Sequence, residues 1–221
     1  MQLRTGIFAL CLVLNPASVA FAEPVPIEQE PRHRLVFENK HVRFFDVQLE
    51  PGYQALYHSH VHDGVFVNIE PADTIAQAWG GEPVKRGERA IGEAYFIGYT
   101  DKPGVHRVSN PDSRTYRVTD TEILGSCGTG AELRPARNQT VVVDNAKVLV
   151  TRLILHPGES SELSGPCGML VAVSAGAVAL DKHADPESLE PADFLWREAG
   201  ALLTLTNVGT TIFHGVDIRL K

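Results

Sequence analysis

One passage of this chain occurs twice, and that repetition limits the fold more than any single residue does. Val42-Arg43-Phe44-Phe45-Asp46-Val47-Gln48-Leu49-Glu50-Pro51-Gly52 runs in register with Val148-Leu149-Val150-Thr151-Arg152-Leu153-Ile154-Leu155-His156-Pro157-Gly158. Val42 aligns with Val148, Leu49 with Leu155, and the two Pro-Gly turns coincide. Further along, Asn110 matches Asn207, Tyr116 matches Phe213 and Asp120 matches Asp217 in one constant register. Such a duplication makes each copy about 95 residues long, with residues 125–135 as the link between them.

Each copy reads as strands. Phe45, Val47 and Leu49 alternate onto one face of an extended segment. Residues 65–69, 94–99, 105–110 and 115–124 continue in the same style, and Trp79-Gly80-Gly81-Glu82 suggests a hairpin. The 19 glycines and 14 prolines punctuate these short runs as turn residues. Helical periodicity is brief and confined to 186–197. An all-β sandwich or barrel follows. Residues 23–31, rich in proline and acid, read as an extended arm.

Ahead of the first copy the chain resembles a secretory leader. Arg4 precedes an apolar run over 7–14, and Ala20-Phe21-Ala22 supplies a small-x-small cleavage site before Glu23. The run is too short to span a bilayer. Cys11 follows Leu10, where a lipoprotein signal has a small residue. The expected product is a soluble periplasmic or secreted protein with no membrane attachment after cleavage. Losing Arg4 takes the net charge from −7 to about −8. An acidic chain without a basic cluster argues against nucleic acid and anionic membranes as partners. Cys127 and Cys167 remain after cleavage, both in glycine-rich loops. In an oxidising compartment such a pair reads as a disulfide, with metal ligation as the alternative.

The chemistry concentrates at His58, His60 and His62, which alternate directly before a β-branched run. Residues two apart on a strand share a face, so these imidazoles can converge as a divalent metal requires. The plainer alternative is a solvated, histidine-rich strand edge.

Gly52, then five residues, then His58-Ser59-His60 resembles the first motif of the cupins. Pro103-Gly104-Val105-His106, followed by Asn110, resembles their second motif with a shortened spacing between glycine and histidine. The resemblance implies a bicupin: two tandem, jelly-roll-like antiparallel β-barrels over 23–126 and 127–221, after a signal peptide at 1–22. It also implies one divalent metal held by His58, His60 and His106. The family's motif-one glutamate is missing, since its place falls on Gly64 and Val65. His62 has the strand parity to replace it; water, or Asp63 re-aimed by a bulge at Gly64, are the alternatives. A histidine-dominated site suits Zn, Fe, Ni or Cu rather than Mn. By the spacing after each Pro-Gly turn, Ser164, Pro166 and Gly168 stand for the three alternating histidines, and Leu203 for His106. The second copy is thus a degenerate barrel without ligands. His33, His41, His156, His183 and His214 fall on no motif position and read as surface or satisfied core residues.

Tyr57, Tyr95 and Tyr99 are close in sequence to the expected pocket, Arg107 should point away from it, and Asn110 reads as a turn residue. The resemblance implies a small organic ligand in the N-terminal barrel. A metal-dependent dioxygenase or isomerase, a metal or small-ligand binding protein without turnover, and a structural barrel with idle histidines all stay open at this point. So does a homodimer. The mature chain should begin at Glu23, and intact-mass measurement of protein recovered from an exporting host checks this; retention of Arg4 would contradict it.

Overall fold

The computed structural model describes residues 23–128, 133–181 and 184–221. The expected signal peptide and His183 lie outside the described residues. Strands dominate, and no helix among the described residues is long and apolar enough to cross a membrane. The first half contains β1 (Val25–Pro26), β2 (His33–Glu38), β3 (Val42–Leu49), β4 (His58–His60), β5 (Gly64–Glu70), β6 (Thr74–Ala78), β7 (Pro83–Arg86), β8 (Ala94–Ile97), β9 (Gly104–Ser109) and β10 (Tyr116–Ile123). The second contains β11 (Gln139–Asp144), β12 (Val148–Leu155), β13 (Ser160–Leu163), β14 (Gly168–Ala172), β15 (Gly176–Leu180), β16 (Glu187–Leu189), β17 (Phe194–Arg197), β18 (Leu203–Asn207) and β19 (Phe213–Leu220).

Strand order makes the duplication explicit. One sheet of the first half runs β2-β3-β10-β5-β8, and its counterpart runs β11-β12-β19-β14-β17. The facing sheets run β4-β9-β6-β7 and β13-β18-β15-β16, with β1 added beside β4 only in the first half. Apart from β1, each strand of the first half has its partner in the second, in the same sheet position. Neither half closes into one hydrogen-bonded cylinder; each is two sheets facing across a core, as in a jelly roll.

Local chemistry repeats as well. Asn110 Nδ2 donates to the carbonyls of Leu49 and Arg114, and Asn207 Nδ2 donates to those of Leu155 and Thr211. Both Pro-Gly turns place glycine at positive φ, 78° at Gly52 and 80° at Gly158, a conformation that strains any other residue.

Two expectations are corrected. The helical period at 186–197 resolves into β16, a turn and β17. The N-terminal segment is no free arm: β1 pairs with β4 in parallel, and Ile27 is buried in the core. That pairing is also an exception to an otherwise antiparallel arrangement.

The largest apolar cluster lies between the halves. On β3, Val42 and Phe44 face the second half, while Phe45, Val47 and Leu49 face the first half's own interior. On β14, Met169 and Val171 face the first half, and Leu170 faces inward. Both faces of these sheets are therefore apolar, which is why β5 is buried nearly throughout. Phe44 is fully buried with its ring 4.9 Å from that of Phe194. Cys127 and Cys167 form a disulfide beside this cluster, with Cα atoms 5.5 Å apart. Phe44→Ala should cost about 3–5 kcal/mol, the range for emptying a buried phenylalanine site. Guanidinium unfolding checks this; a loss under about 1 kcal/mol would mean that the halves do not depend on the contact.

Candidate metal centre

The site is set by one register. β4 and β9 pair antiparallel with His58 directly opposite His106, and His60 opposite Gly104. His58 and His60 are two residues apart and share a face. Ring centroids lie 5.1 Å apart for His58 and His60, 4.8 Å for His58 and His106, and 4.9 Å for His60 and His106. One nitrogen from each ring lies within 4.8 Å of the others. Nitrogens sharing an ion at bond lengths of about 2.0–2.1 Å are at most about 4.2 Å apart. In a tetrahedral site the separation is about 3.4 Å, so ring rotations of about an ångström would complete the set.

The donor chemistry fits a metal. His58 Nδ1 donates to the Leu56 carbonyl at 2.9 Å, which leaves Nε2 buried with no hydrogen-bond partner. Both ring nitrogens of His60 are buried and unpartnered. Buried polar atoms left in this condition are rare and costly, and a cation is one group that satisfies such lone pairs. Burial first, then repulsion from His33, lowers the His58 pKa to about 4. Burial, with repulsion from His58 and Arg86, lowers His106 to about 3. His60 is pushed down further by burial and by its two neighbours. All three rings stay neutral near pH 7, as ligation requires.

His62 is not brought to this group. β4 ends at His60 and the chain bends at His62, so the alternation that placed it on the ligand face is lost. It lines a separate cleft of about 260 Å³ with Lys147 and Lys221 of the second half. Asp63 is committed elsewhere too. Its Oδ1 accepts the backbone N–H groups of Tyr99 and Thr100 at 2.8 and 2.7 Å, and its Oδ2 meets Lys147 Nζ at 2.6 Å. Burial alone would raise its pKa; Lys147 and the Thr100 hydrogen bond overcome that and hold it at about 2. No bulge occurs at Gly64, which pairs regularly with Ile97 and Glu122.

Two groups outside the motif positions, His33 and Asp120, also reach the site. His33 is buried, its Nδ1 lies 2.6 Å from Glu30 Oε2, and its ring is 4.3 Å from that of His58. Asp120 on β10 is fully buried, with Oδ2 3.6 Å from His60 Nδ1. Burial holds Asp120 well above the carboxylate range while lowering His60, so without a metal this approach is no ion pair. The Glu30–His33 spacing and the Asp120–Asp217 match were the available signals, but neither says that its residue faces the histidines.

Tyr99 stacks on His60 at 4.7 Å, over Gly104. A Cβ at Gly104 would sit 2.6 Å from that ring, so glycine is required there. His33, His60, Arg86, Tyr99, His106 and Tyr116 border a cavity of about 40 Å³, to which Tyr95 also contributes. Tyr57 lies outside it, edge-on to Trp79, with the Arg107 guanidinium over its ring. Arg107 thus faces away from the cavity.

In the second half the strand register puts Leu163, not Ser164, opposite Leu203. The segment after the second Pro-Gly turn is effectively one residue shorter, so counting from the turn misaligns it. Leucines stand where His58 and His106 would be, inside a core of Leu153, Leu155, Leu170 and Phe213. His41 clusters with Cys127 and Cys167, but those sulfurs are bonded to each other and cannot ligate.

No protein-family model matches the chain, and no curated protein matches its sequence. Solved structures do. Salicylate 1,2-dioxygenase from Pseudoaminobacter salicylatoxidans, crystallised with gentisate, aligns with a TM-score of 0.59 at 12% identity, covering 88% of this chain and 75% of that one. Oxalate decarboxylase from Bacillus subtilis aligns at 0.56 and 10% identity, covering 82% and 69%. A cupin 2 conserved barrel domain protein from Leptotrichia buccalis aligns at 0.52 and 10% identity, covering 85% and 87%. At these identities the likeness is one of fold.

The depressed histidines give the metal-free protein a signed pH dependence. Below their ordinary value of 6.5 the unfolded chain binds protons that the folded chain refuses until about pH 4 for His58. Stability therefore falls on acidification through that window and is fully present above it. Asp120 and Glu122, whose pKa values are raised by burial, work the other way over the same range, so the contribution of the imidazoles is read from the difference in slope between the parent and a variant without them. Denaturant titration of chelator-treated protein across this range should show the loss, and a His58→Ala, His60→Ala variant should lose most of the slope. Equal slopes in both would contradict the assignment.

Proposed function

We propose that this chain, which carries the cupin fold twice over, binds one divalent transition metal in its first half through His58, His60 and His106 and presents it to a small anionic molecule. The observation that carries the reading is the convergence of three imidazoles from β4 and β9, with His58 and His60 buried, His106 half-buried and unpartnered nitrogens on the two buried rings. A histidine-only donor set favours Zn, Fe, Ni or Cu. Such a metal supplies Lewis acidity, or a binding position for substrate or O₂.

The surrounding residues support an anionic ligand. Arg86 is the one arginine or lysine in the cavity lining, and it has no ion-pair partner among the described residues. Burial raises the phenol pKa values of Tyr95, Tyr99 and Tyr116, so each keeps its proton. A guanidinium together with hydroxyl donors suits a carboxylate. Salicylate and oxalate, named for two proteins of similar fold, are carboxylates as well. A dioxygenase, or else a decarboxylase or an isomerase, is the kind of activity this supports.

Metal or small-ligand binding without turnover is the second reading, favoured by the cavity's size. About 40 Å³ is room for only a few water-sized groups, so a larger substrate needs the wall to move. The leader-like first 22 residues and the Cys127–Cys167 bond support export to a periplasm or the exterior, with the two units dividing near Ser126.

Elemental analysis of protein purified without added metal should find about one transition-metal ion per chain. The His58→Ala, His60→Ala variant should retain less than about a tenth of it. Equal metal content in the two proteins would overturn the ligand assignment.

A further inference from the structure

The first half lacks the motif-one glutamate, yet it buries a carboxylate beside the histidines from a different strand. Asp120 projects from β10, next to β5, where the glutamate would have stood. It is fully buried, neither oxygen has a hydrogen-bond partner, and Oδ2 faces His60 Nδ1 at 3.6 Å. Gly64 makes the room: a Cβ there would lie 2.7 Å from Asp120 Oδ1. The missing side chain at 64 and the buried acid at 120 are two sides of one arrangement.

The second half serves as an internal comparison. Asp217 occupies the same register and is equally buried, but Arg197 Nη1 reaches its Oδ1 at 2.6 Å and Arg219 Nε reaches its Oδ2 at 3.1 Å. Arg197 stands across from Gly168, which corresponds to Gly64. Across from Gly64 the first half has Ile97. The position of Arg219 is taken by Glu122, which Arg43 binds through Nε at 2.8 Å and Nη2 at 2.6 Å. Where no histidines face the acid, the fold answers it with two guanidiniums. Where histidines face it, both guanidiniums are gone. A buried carboxylate needs a cationic or hydrogen-bonding partner, and in the first half the group in place to provide one is His60.

We propose that Asp120 is a positioning residue: its carboxylate takes the Nδ1 proton of His60 as a hydrogen bond, turns Nε2 toward the metal, and offsets the ion's charge in place of the absent glutamate. Carboxylates that orient ligand imidazoles in this way typically account for 10–100-fold in metal affinity. The inference rests on the metal reading above.

Chelator competition with Zn²⁺ tests it. Asp120→Asn should bind Zn²⁺ about 10–100-fold more weakly than the parent protein, while the melting temperature of the metal-free form is unchanged or higher. Asp217→Asn should do the reverse, with unchanged Zn²⁺ affinity and a lower melting temperature, because it strands two buried arginines. Gly64→Ala keeps every ligand and the acid but intrudes on the carboxylate, and should weaken Zn²⁺ in the same direction as Asp120→Asn. Parent-like Zn²⁺ affinity in Asp120→Asn would overturn the role of Asp120 and leave the metal reading standing. Failure of the parent protein itself to bind Zn²⁺ or any other transition metal would overturn both.

Discussion

Two sheets, each apolar on both faces, lie back to back across the middle of this molecule, and most of the remaining structure follows from that contact. A sheet with one apolar face can leave the other to water; β3, β5, β12, β14 and β19 have no such freedom. Their inner faces close the cores of the two halves, and their outer faces bury each other through Val42, Phe44, Val67, Met169, Val171 and Ile218. Asp63 and Lys147 add an ion pair across the same boundary. The backbone of Asp63 lies between β4 and β5, so the interface also anchors the turn that ends the histidine strand.

Given that shared frame, the two copies have diverged inward. The second fills the volume around Leu163 and Leu203 with leucine and phenylalanine, and its buried acid Asp217 is paired with Arg197 and Arg219. The first places histidine, tyrosine and aspartate in the same volume. Buried polar groups without partners are a standing cost to stability. The first half retains them at His58, His60 and Asp120 together. Neutral imidazoles and an acid without a countercharge in one copy, against apolar packing and an acid held by two guanidiniums in the other, distinguish a binding site from a core built on the same backbone.

The fold was largely legible from residue pattern. Alternation at Phe45, Val47 and Leu49, the paired Pro-Gly turns and the matched asparagines Asn110 and Asn207 each reflect a constraint that acts over a few residues, and each is present in the structure. The short period at 186–197 was misread because a few apolar residues around Phe194 and Trp196 fit either a helix turn or a strand, and only pairing with β14 decides between them.

For the site, the amino-acid order by itself determined that His58 and His60 would share a strand face and that His106 would lie in a second strand of the same unit. It could not determine that β4 and β9 meet with His58 against His106, because register is a property of two strands and of the turns and sheets that hold them. Nor could it show His62 turned away, since local alternation carries no information about where a strand stops. His33 and Asp120 became visible only in three dimensions. One arrives from the N-terminal segment and the other from a strand sixty residues beyond His60, and nothing short of the packed sheets brings such distant side chains to one point.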